Sequence, residues 1–454
     1  MDATGRISKD SPSGIKMKSS IHSMIPVGWR RIRLKGLLSS RMAGAWGANQ
    51  GEVEQDCICM RVADFDFSRG VFAAASPEDL TVRGYTRKQI EDLQLQKGDI
   101  LVEKSGGGDK TPLGRAVMFD KDYSAVFSNF MERLRISVHR ANVKFVYYSW
   151  IDKYWMRELY PFVKQTTGIQ NLSMTKLVNE VKMQLPPCSE QERIVAFLDE
   201  KCAAVDKAIE VKRKQLESIS GQRKSLITQS VVFGLGSCQS RKTNIEWMPL
   251  VNSGWEVVSL KRLLSRKMEY GLSEAAELED ESLPRYIRIT DFGDDGELKG
   301  DTFRSLPVEI AKEAMLQAND VLFARSGATV GKSYIYTGWR TGACFAGYLI
   351  RAQTKTWRLN PKFLYYFTKS AAYDAWKGLI FTQATIQNIS AVKYGQLKMP
   401  VPPVGTQNAI VSYLELKERK FDALAANLRK QIETLEQYRK SLIHEYVTGV
   451  RRVG

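Results

Sequence analysis

Near its C-terminal end the chain repeats a large apolar residue every seven positions, with mostly polar and charged residues between. The repeated residues are Leu414, Phe421, Leu428, Leu435 and Leu442. A seven-residue period held over several turns is typical of a helix that packs along another helix. The pattern therefore predicts a long helix whose apolar seam needs a helical partner.

A second copy of this pattern lies earlier in the chain. Its apolar positions are Leu198, Val205, Ile209, Leu216, Ile219 and Leu226. Both copies begin at a Pro-Pro pair, carry a glutamine four residues later (Gln191 and Gln407), and end in Arg-Lys-Ser-Leu-Ile. The chain itself thus supplies a partner for each seam, and a homodimer is not needed to bury them.

The regions that precede the two helices also match each other in order. Each has a Gly-Trp pair, a turn before a buried strand, a basic residue before Ser-Gly, an asparagine that starts a helix, and an Ile-Gln-Asn element. The matched positions are Gly28 and Gly254, Gly98 and Asn319, Lys104 and Arg325, Asn142 and Asn360, and Ile169 and Ile386. Collinear matches of this kind indicate a tandem duplication.

The duplication predicts an α/β (α+β) fold in which two globular domains are each followed by a long helix. We expect the two helices to pair as an antiparallel coiled coil with pseudo-two-fold symmetry. The predicted segments are a disordered leader at 1–23, a first domain at 24–185, a first helix at 186–233, a linker at 234–248, a second domain at 249–400, and a second helix at 401–449.

Charge and composition narrow the function. The formal net charge of +17 favours a polyanionic partner, most often nucleic acid. No apolar run approaches the roughly 20 residues that span a bilayer, and residues 1–23 lack the apolar core of a signal peptide, so we expect a cytoplasmic protein. Six scattered cysteines and three histidines favour reduced thiols over a metal site.

In the order of its doubled motifs, the chain resembles the specificity subunit of type I restriction–modification systems, over residues 28–449. The resemblance implies that each globular domain is a target-recognition domain for one half of a bipartite, asymmetric DNA sequence. It also implies that the helices dock methyltransferase subunits, expected to number two, which in turn hold restriction subunits. The chain itself is then not an enzyme, and S-adenosylmethionine, ATP and Mg are expected on the partner subunits.

The helices also limit the distance between the two half-sites. About 40 residues at about 1.5 Å each give a helix of about 60 Å. With about 3.4 Å per base pair, that length corresponds to less than two turns of duplex. Because the loops of the two domains differ in sequence, we expect the half-sites to differ as well.

Several polar residues are candidates for DNA contact. Those expected at phosphates are Lys104, Ser105, Arg115, Arg325, Ser326 and Lys332, since cations and hydroxyls supply most backbone contacts; a solvated basic loop is the equal alternative. The amide pairs are Gln170 with Asn171 and Gln387 with Asn388. They could bond adenine edges, but their matched location in both halves favours a positioning role. Base contacts are expected from the divergent loops at 41–50 and 266–274.

Two alternatives to DNA recognition remain. Ser326 to Ser333 resembles a phosphate-binding P-loop with serine in place of the first glycine, which suggests a stand-alone NTPase. The following residues alternate as a strand, however, whereas a P-loop leads into a helix. The second alternative is a coiled-coil scaffold without DNA specificity.

An aromatic cluster precedes the first long helix. Its members are Tyr147, Tyr148, Trp150, Tyr154 and Trp155. Their mixed helical spacing favours core packing over stacking on bases.

Overall fold

The chain divides into two units, and each contains one globular domain together with a part of both long helices. In this computed structural model the described residues are 25–453, without 68–69, 73–75, 107–111, 167–168, 276, 294–296 and 383–386. Unit 1 comprises residues 1–211 and 431–454, and unit 2 comprises residues 212–430. The predicted leader at 1–23 lies outside the described residues.

The first globular domain, module 1, is built on small sheets. Its strands are β1 Arg30–Arg33, β2 Leu38–Ala43, β3 Gln55–Met60, β4 Phe65–Asp66, β5 Val71–Phe72, β6 Val82–Tyr85, β7 Ile100–Glu103, β8 Ser105–Gly106, β9 Ala116–Met118, β10 Ala125–Phe127, β11 Met131–Ile136, β12 Val163–Thr166, β13 Ile169–Leu172 and β14 Lys182–Leu185. Its α-helices are α1 Arg87–Leu93, α2 Val143–Trp155 and α3 Met174–Glu180. The first long helix, α4 Cys188–Val232, follows.

The second globular domain, module 2, repeats this plan. Its strands are β15 Ser240–Lys242, β16 Leu250–Asn252, β17 Glu256–Ser259, β18 Glu269–Tyr270, β19 Arg285–Ile287, β20 Val321–Ala324, β21 Ser333–Ile335, β22 Ala343–Phe345, β23 Leu349–Ala352 and β24 Lys398–Val401. Its helices are α5 Leu260–Leu263, α6 Val308–Ala311, α7 Pro361–Phe367, α8 Ala371–Thr382 and α9 Ala391–Gln396. The second long helix is α10 Val404–Val447.

Strand pairing confirms the duplication. The sheet β2-β11-β7-β9 in module 1 has the same order as β18-β23-β20-β21 in module 2. Strand β1 pairs with β14 as β17 pairs with β24, both antiparallel. The parallel pair of β3 with β10 is matched by the parallel pair of β19 with β22. The two modules therefore share the four-stranded sheet and these two strand pairs.

The central strands β7 and β20 are buried along their whole length, as their apolar sequences predict. Each follows a turn in which Gly98 or Asn319 has a φ of +92° or +77°, the left-handed region that glycine and asparagine tolerate best. The next residue, Asp99 or Asp320, accepts the backbone N–H three residues earlier at 2.8 and 2.9 Å. This shared turn explains why Gly-Asp and Asn-Asp occupy matched positions.

The core of module 1 confirms the prediction for the aromatic cluster. Tyr147, Tyr148 and Trp150 are buried, and Tyr154 and Trp155 pack against the same cluster. The indole Nε1 of Trp150 donates to a carbonyl at 2.8 Å. Burial raises the pKa of Tyr147 to about 12. These rings support α2 on the sheet and are not exposed for base stacking.

The segment predicted as a linker at 234–248 contains a strand. Within it β15 pairs antiparallel with β16, and Arg241 donates to the carbonyl of Trp255 at 3.0 Å. The glycines and serines of this segment suggested a loop. Composition does not reveal that part of the segment pairs with a strand that follows it.

The long helices have 45 and 44 residues, which gives each a length of about 67 Å. The seam residues are all buried or half-buried. In unit 1 the rings of Phe197 and Tyr446 lie 4.5 Å apart, and Arg439 forms an ion pair with Asp206 at 3.0 Å.

In unit 2 the same two helices contact each other at Arg223. Arg223 of α4 lies 3.4 Å from a carboxylate oxygen of Glu418 and also pairs with Asp422. Its guanidinium is 5.7 Å from the ring centre of Phe421. Both units therefore contain contacts between α4 and α10.

A buried glutamine joins α4 to module 1. Gln191 is fully buried. Its Oε1 accepts the backbone N–H of Asn142, the N-cap of α2, at 2.8 Å. Its Nε2 donates to the carbonyl of Pro186 at 2.8 Å. The amide thus satisfies two backbone groups where the helix meets the domain.

Gln407 makes the matched contacts in unit 2. It too is fully buried, and its Oε1 accepts the backbone N–H of Asn360 at 2.8 Å. Its Nε2 donates to the carbonyl of Pro402 at 2.7 Å. The glutamine after each Pro-Pro pair is therefore the connection between a helix and its domain.

A histidine connects the end of α10 to α2 within unit 1. His444 Nδ1 lies 2.9 Å from Oδ1 of the buried Asp152. The hydrogen bond with Asp152 raises the pKa of His444, and Glu158 and Glu445 add to this, against the lowering effect of burial. The charged imidazolium is therefore the form that stabilises this contact.

Replacing Gln191 by leucine should lower the free energy of unfolding by about 1–3 kcal/mol, because a buried N–H and a buried carbonyl lose their partners. Chemical denaturation followed by circular dichroism measures the change. Gln222→Leu, at an exposed position of the same helix, is the matched control. Equal losses in the two variants would contradict the anchoring role.

The contact of His444 predicts a pH-dependent stability. A folded-state pKa above the unfolded value near 6.5 contributes stability that is complete below the unfolded pKa and is lost as pH rises through the folded pKa. The difference in melting temperature between the wild type and His444→Gln should therefore be larger at pH 6 than at pH 9. A difference that stays constant with pH would exclude a charged His444.

Candidate nucleic-acid interface

In each module the structure places the predicted basic-serine segment beside the predicted asparagine. In module 1, β8 pairs with β13 so that Ser105 lies opposite Asn171, and Leu172 N donates to Lys104 O at 2.7 Å. The serine Oγ also donates to Asn171 Oδ1 at 2.7 Å. Side chains from two distant parts of the sequence thus lie next to each other where β8 pairs with β13.

Module 2 has the same junction. Ser326 forms an antiparallel bridge with Asn388, and Ile389 N donates to Arg325 O at 2.9 Å. The two predicted sets therefore occupy equivalent places in the two copies. We call these places the basic junctions: Lys104, Ser105 and Asn171 in module 1, and Arg325, Ser326 and Asn388 in module 2.

The neighbouring glutamines differ between the copies. Gln170 is 5% exposed, and its buried Oε1 accepts no hydrogen bond from the described residues. Gln387 is exposed. The asparagines share the backbone pairing with the junction serine in both modules, which favours a positioning role for them.

Two cations share one carboxylate beside the junction of module 1. Arg41 Nε lies 3.0 Å from Glu132, and Lys104 Nζ lies 3.9 Å from it. Burial raises the pKa of Glu132, while Arg41 and Lys104 act to lower it. Arg41 also donates to Thr175 Oγ1 at 3.0 Å. With two positive charges against one negative charge, the cluster suits a phosphate.

In module 2 the junction cation is held by a ring. The guanidinium of Arg325 lies 4.8 Å from the ring centre of Tyr270, a contact that stabilises a cation without neutralising it. Tyr270 is 45% exposed, and its hydroxyl accepts the N–H of Ala391 at 3.1 Å. Among the described residues, Arg325 has no carboxylate at salt-bridge distance.

Arg115 is bound to a carboxylate of its own module. Its Nε and a terminal nitrogen lie 2.7 and 2.8 Å from the two oxygens of Glu103, and this pair raises the pKa of Arg115. The guanidinium also lies 4.1 Å from the ring centre of Phe67. Phosphate contact by Arg115 stays a prediction, and it would compete with this ion pair.

The matched position in module 2 is Lys332, where Ala324 replaces the glutamate. Lys369 and Lys377 lie near Lys332. Lys369 donates to a backbone carbonyl at 3.4 Å. Burial lowers the pKa of Lys369 to about 8, with further lowering from Lys377 and Lys332. Module 2, which has alanine in place of the glutamate, thus has three lysines near this position, Lys332, Lys369 and Lys377.

The segment from Ser326 to Ser333 leads into a strand, as predicted. Strand β21 begins at Ser333. Gly331 has a φ of +79°, and its carbonyl accepts the hydroxyl of Tyr373 at 2.9 Å. A P-loop instead presents its backbone N–H groups at the start of a helix. The geometry is that of a turn between β20 and β21.

The divergent loops contribute aromatic residues that the sequence did not single out. Trp46 in the loop 41–50 is 39% exposed, and the guanidinium of Arg83 lies 5.0 Å from its ring centre. Tyr270 is the corresponding case in the loop 266–274. The sequence does place these aromatic residues in loops that differ between the two modules. That location alone does not distinguish one loop residue from another.

Metal and membrane sites are not found in the part of the chain that the structure describes. Within it, histidine, cysteine and acidic side chains nowhere form a group of three or more that could hold a metal ion. No helix there is long and apolar enough to cross a bilayer. All six cysteines carry free thiols.

A family model for the type I restriction modification DNA specificity domain matches residues 71–220 and 252–434. The MjaVIII specificity subunit of Methanocaldococcus jannaschii, a type I restriction enzyme subunit, is 23% identical over 296 residues, which cover 63% of this chain and 66% of that protein. The StySPI specificity subunit of Salmonella potsdam is 25% identical over 203 residues, 43% of either protein. The chain thus aligns with less than two thirds of each relative.

A solved structure concerned with complex assembly and conformational transition of the type I R-M system shares the fold. Its TM-score is 0.65 at 16% sequence identity, and the match covers 93% of this chain and 98% of that one. The two segments matched by the family model make up most of the sequence and fall one in each half of the duplication. The chain belongs to the type I restriction modification DNA specificity domain family.

Proposed function

We propose that this chain is the specificity subunit of a type I restriction–modification complex and that each module recognises one half of a bipartite, asymmetric DNA site. The observation that carries the proposal is the pair of basic junctions, which place a cation, a serine and an asparagine equivalently in both modules. Equivalent polar edges suit the backbone, which is alike in both half-sites, whereas the divergent loops suit bases that differ.

The long helices are proposed to form an antiparallel coiled coil that keeps the half-sites at a fixed spacing. Their contacts support this pairing, because Phe197 meets Tyr446 whereas the later Asp206 meets the earlier Arg439. In unit 2, Arg223 lies after Asp206 in α4, and its partners Glu418 and Asp422 lie before Arg439 in α10. Partner numbers that run in opposite directions are the mark of antiparallel helices.

We further propose that the helices dock two methyltransferase subunits, and restriction subunits through them. Large apolar side chains that lie outside the predicted seams support this role. They are Val211, Leu416, Leu424 and Tyr438, each about half exposed. Exposed apolar positions along a helix pair are suited to further protein contact.

Catalysis is assigned to the partners in this proposal. S-adenosylmethionine, ATP and Mg are expected on the methyltransferase and restriction subunits, and the location is expected to be the cytoplasm, where the DNA is. A stand-alone NTPase is not favoured, because the segment from Ser326 to Ser333 leads into β21. A scaffold without DNA specificity is not favoured, because the family is defined by DNA specificity.

Deleting the chain should remove one split methylation motif from the host genome, and restoring it should return that motif. Sequencing that detects modified bases measures this. Exchange of residues 28–186 for the matching module of another system should change one half-site only. A change in both half-sites would contradict the assignment of one module to one half-site.

Replacing Lys104 by glutamine, or Arg325 by glutamine, should weaken binding of the assembled complex to all duplexes alike. Each loss of a phosphate contact should reduce the slope of log affinity against log salt by about 1. Fluorescence anisotropy over a salt series measures the slope. Arg87→Gln, whose side chain is 81% exposed on α1, controls for the loss of charge. An equal reduction in that control would contradict direct contact at the junctions.

A further inference from the structure

Two exposed aromatic side chains occupy matched positions in the two modules. Phe130 is 44% exposed and Tyr348 is 61% exposed. Each is the third residue of a four-residue turn, between β10 and β11 or between β22 and β23. In both turns the carbonyl of the first residue accepts the N–H of the fourth, at 3.0 and 2.8 Å. The two rings therefore leave the same turn at the same point.

The residues on either side of each turn are buried. In module 1 the turn residues Ser128 and Met131 are 1% and 0% exposed. In module 2 the corresponding Ala346 and Leu349 are 6% and 0% exposed. Each exposed ring therefore projects from a turn that is anchored in the core at both ends.

The same turns hold the basic junctions. The carbonyl of Phe130 accepts the N–H of Lys104 at 2.9 Å and that of Ser105 at 3.3 Å. The carbonyl of Tyr348 accepts the N–H of Arg325 at 3.0 Å. The residue that carries each exposed ring is thus bonded through its backbone to the residue whose cation we expect at a phosphate.

An exposed ring beside a cation is suited to nucleic acid. A ring can pack on the face of a deoxyribose, which is the same sugar in all four nucleotides, while the cation meets the adjacent phosphate. Both turns carry an aromatic residue at the matched position.

We propose that Phe130 and Tyr348 are paired aromatic contacts with duplex DNA, through which each module holds its half-site independently of sequence. This inference rests on the proposed function and adds a non-ionic contact to it. A ring contact contributes affinity without releasing counterions. It is therefore separable from the phosphate contacts of Lys104 and Arg325 by its salt dependence.

The test measures binding of the assembled complex to a duplex that carries the methylated motif and to a scrambled duplex. Phe130→Ala and Tyr348→Ala should each weaken binding to both duplexes by about tenfold, as expected when the apolar contact area of one ring is lost. The ratio between the two affinities and the salt slope should stay at their wild-type values. Phe130→Tyr and Tyr348→Phe should retain affinity, because each keeps a ring.

Matched controls are available in each unit. Tyr160 is 61% exposed in unit 1 and Trp357 is 73% exposed in unit 2, and their replacement by alanine should leave DNA affinity unchanged. Circular dichroism melting of every variant separates a binding effect from unfolding.

Three outcomes would overturn the proposal. Unchanged affinity in both alanine variants would exclude a DNA contact. A selective loss for the motif duplex would make the rings sequence-reading residues. Loss of complex assembly with normal DNA binding would assign the surface to a protein partner. If instead the wild-type complex showed no motif preference, the proposed function itself would fail, which is a different result.

Discussion

A buried polar group at the junction of a helix and a domain must find hydrogen-bond partners, and the architecture depends on this requirement. Gln191 and Gln407 are fully buried at the first turns of α4 and α10. The Oε1 of each accepts an N–H of its module, and the Nε2 of each donates to a carbonyl at the helix start, with a second donation from Gln407 to the carbonyl of Arg358. Such a group is costly to leave unpaired. Each glutamine therefore helps to fix the way its long helix leaves its domain, while the seams supply the area that is buried.

The two modules keep the same structural framework, but the charges at matched positions differ. Both modules keep the turn before the central strand, the strand order and the pairing of serine with asparagine. In module 1 the carboxylate of Glu103 pairs with Arg115, whereas in module 2 Ala324 stands at the position of Glu103 and Lys332 at that of Arg115. The local charge at this matched place therefore differs between the modules, although the strands of the matched sheets follow the same order.

The sequence predicted the features that depend on periodicity and repetition. The seams, the duplication, the buried strand after Gly98 or Asn319, and the strand after Lys332 all follow from local pattern. The partners of Gln191 could not be predicted, because Asn142 is distant in sequence and the bond depends on tertiary packing. Phe130 and Tyr348 were missed for a related reason. The pattern of apolar residues does not reveal that these two rings are exposed while the residues on either side of the turn are buried.

The composition of the two units has a consequence for synthesis of the chain on the ribosome. Unit 2 is one continuous stretch, residues 212–430, whereas unit 1 joins residues 1–211 to residues 431–454. Leu442, Ile443, Tyr446 and Val447 belong to the core of unit 1, so that core stays incomplete until residues 442–447 are made. Unit 2 has all its residues earlier, although its domain is encoded second. The first-made domain is thus the last to be completed, and it must persist with part of its apolar surface uncovered during translation.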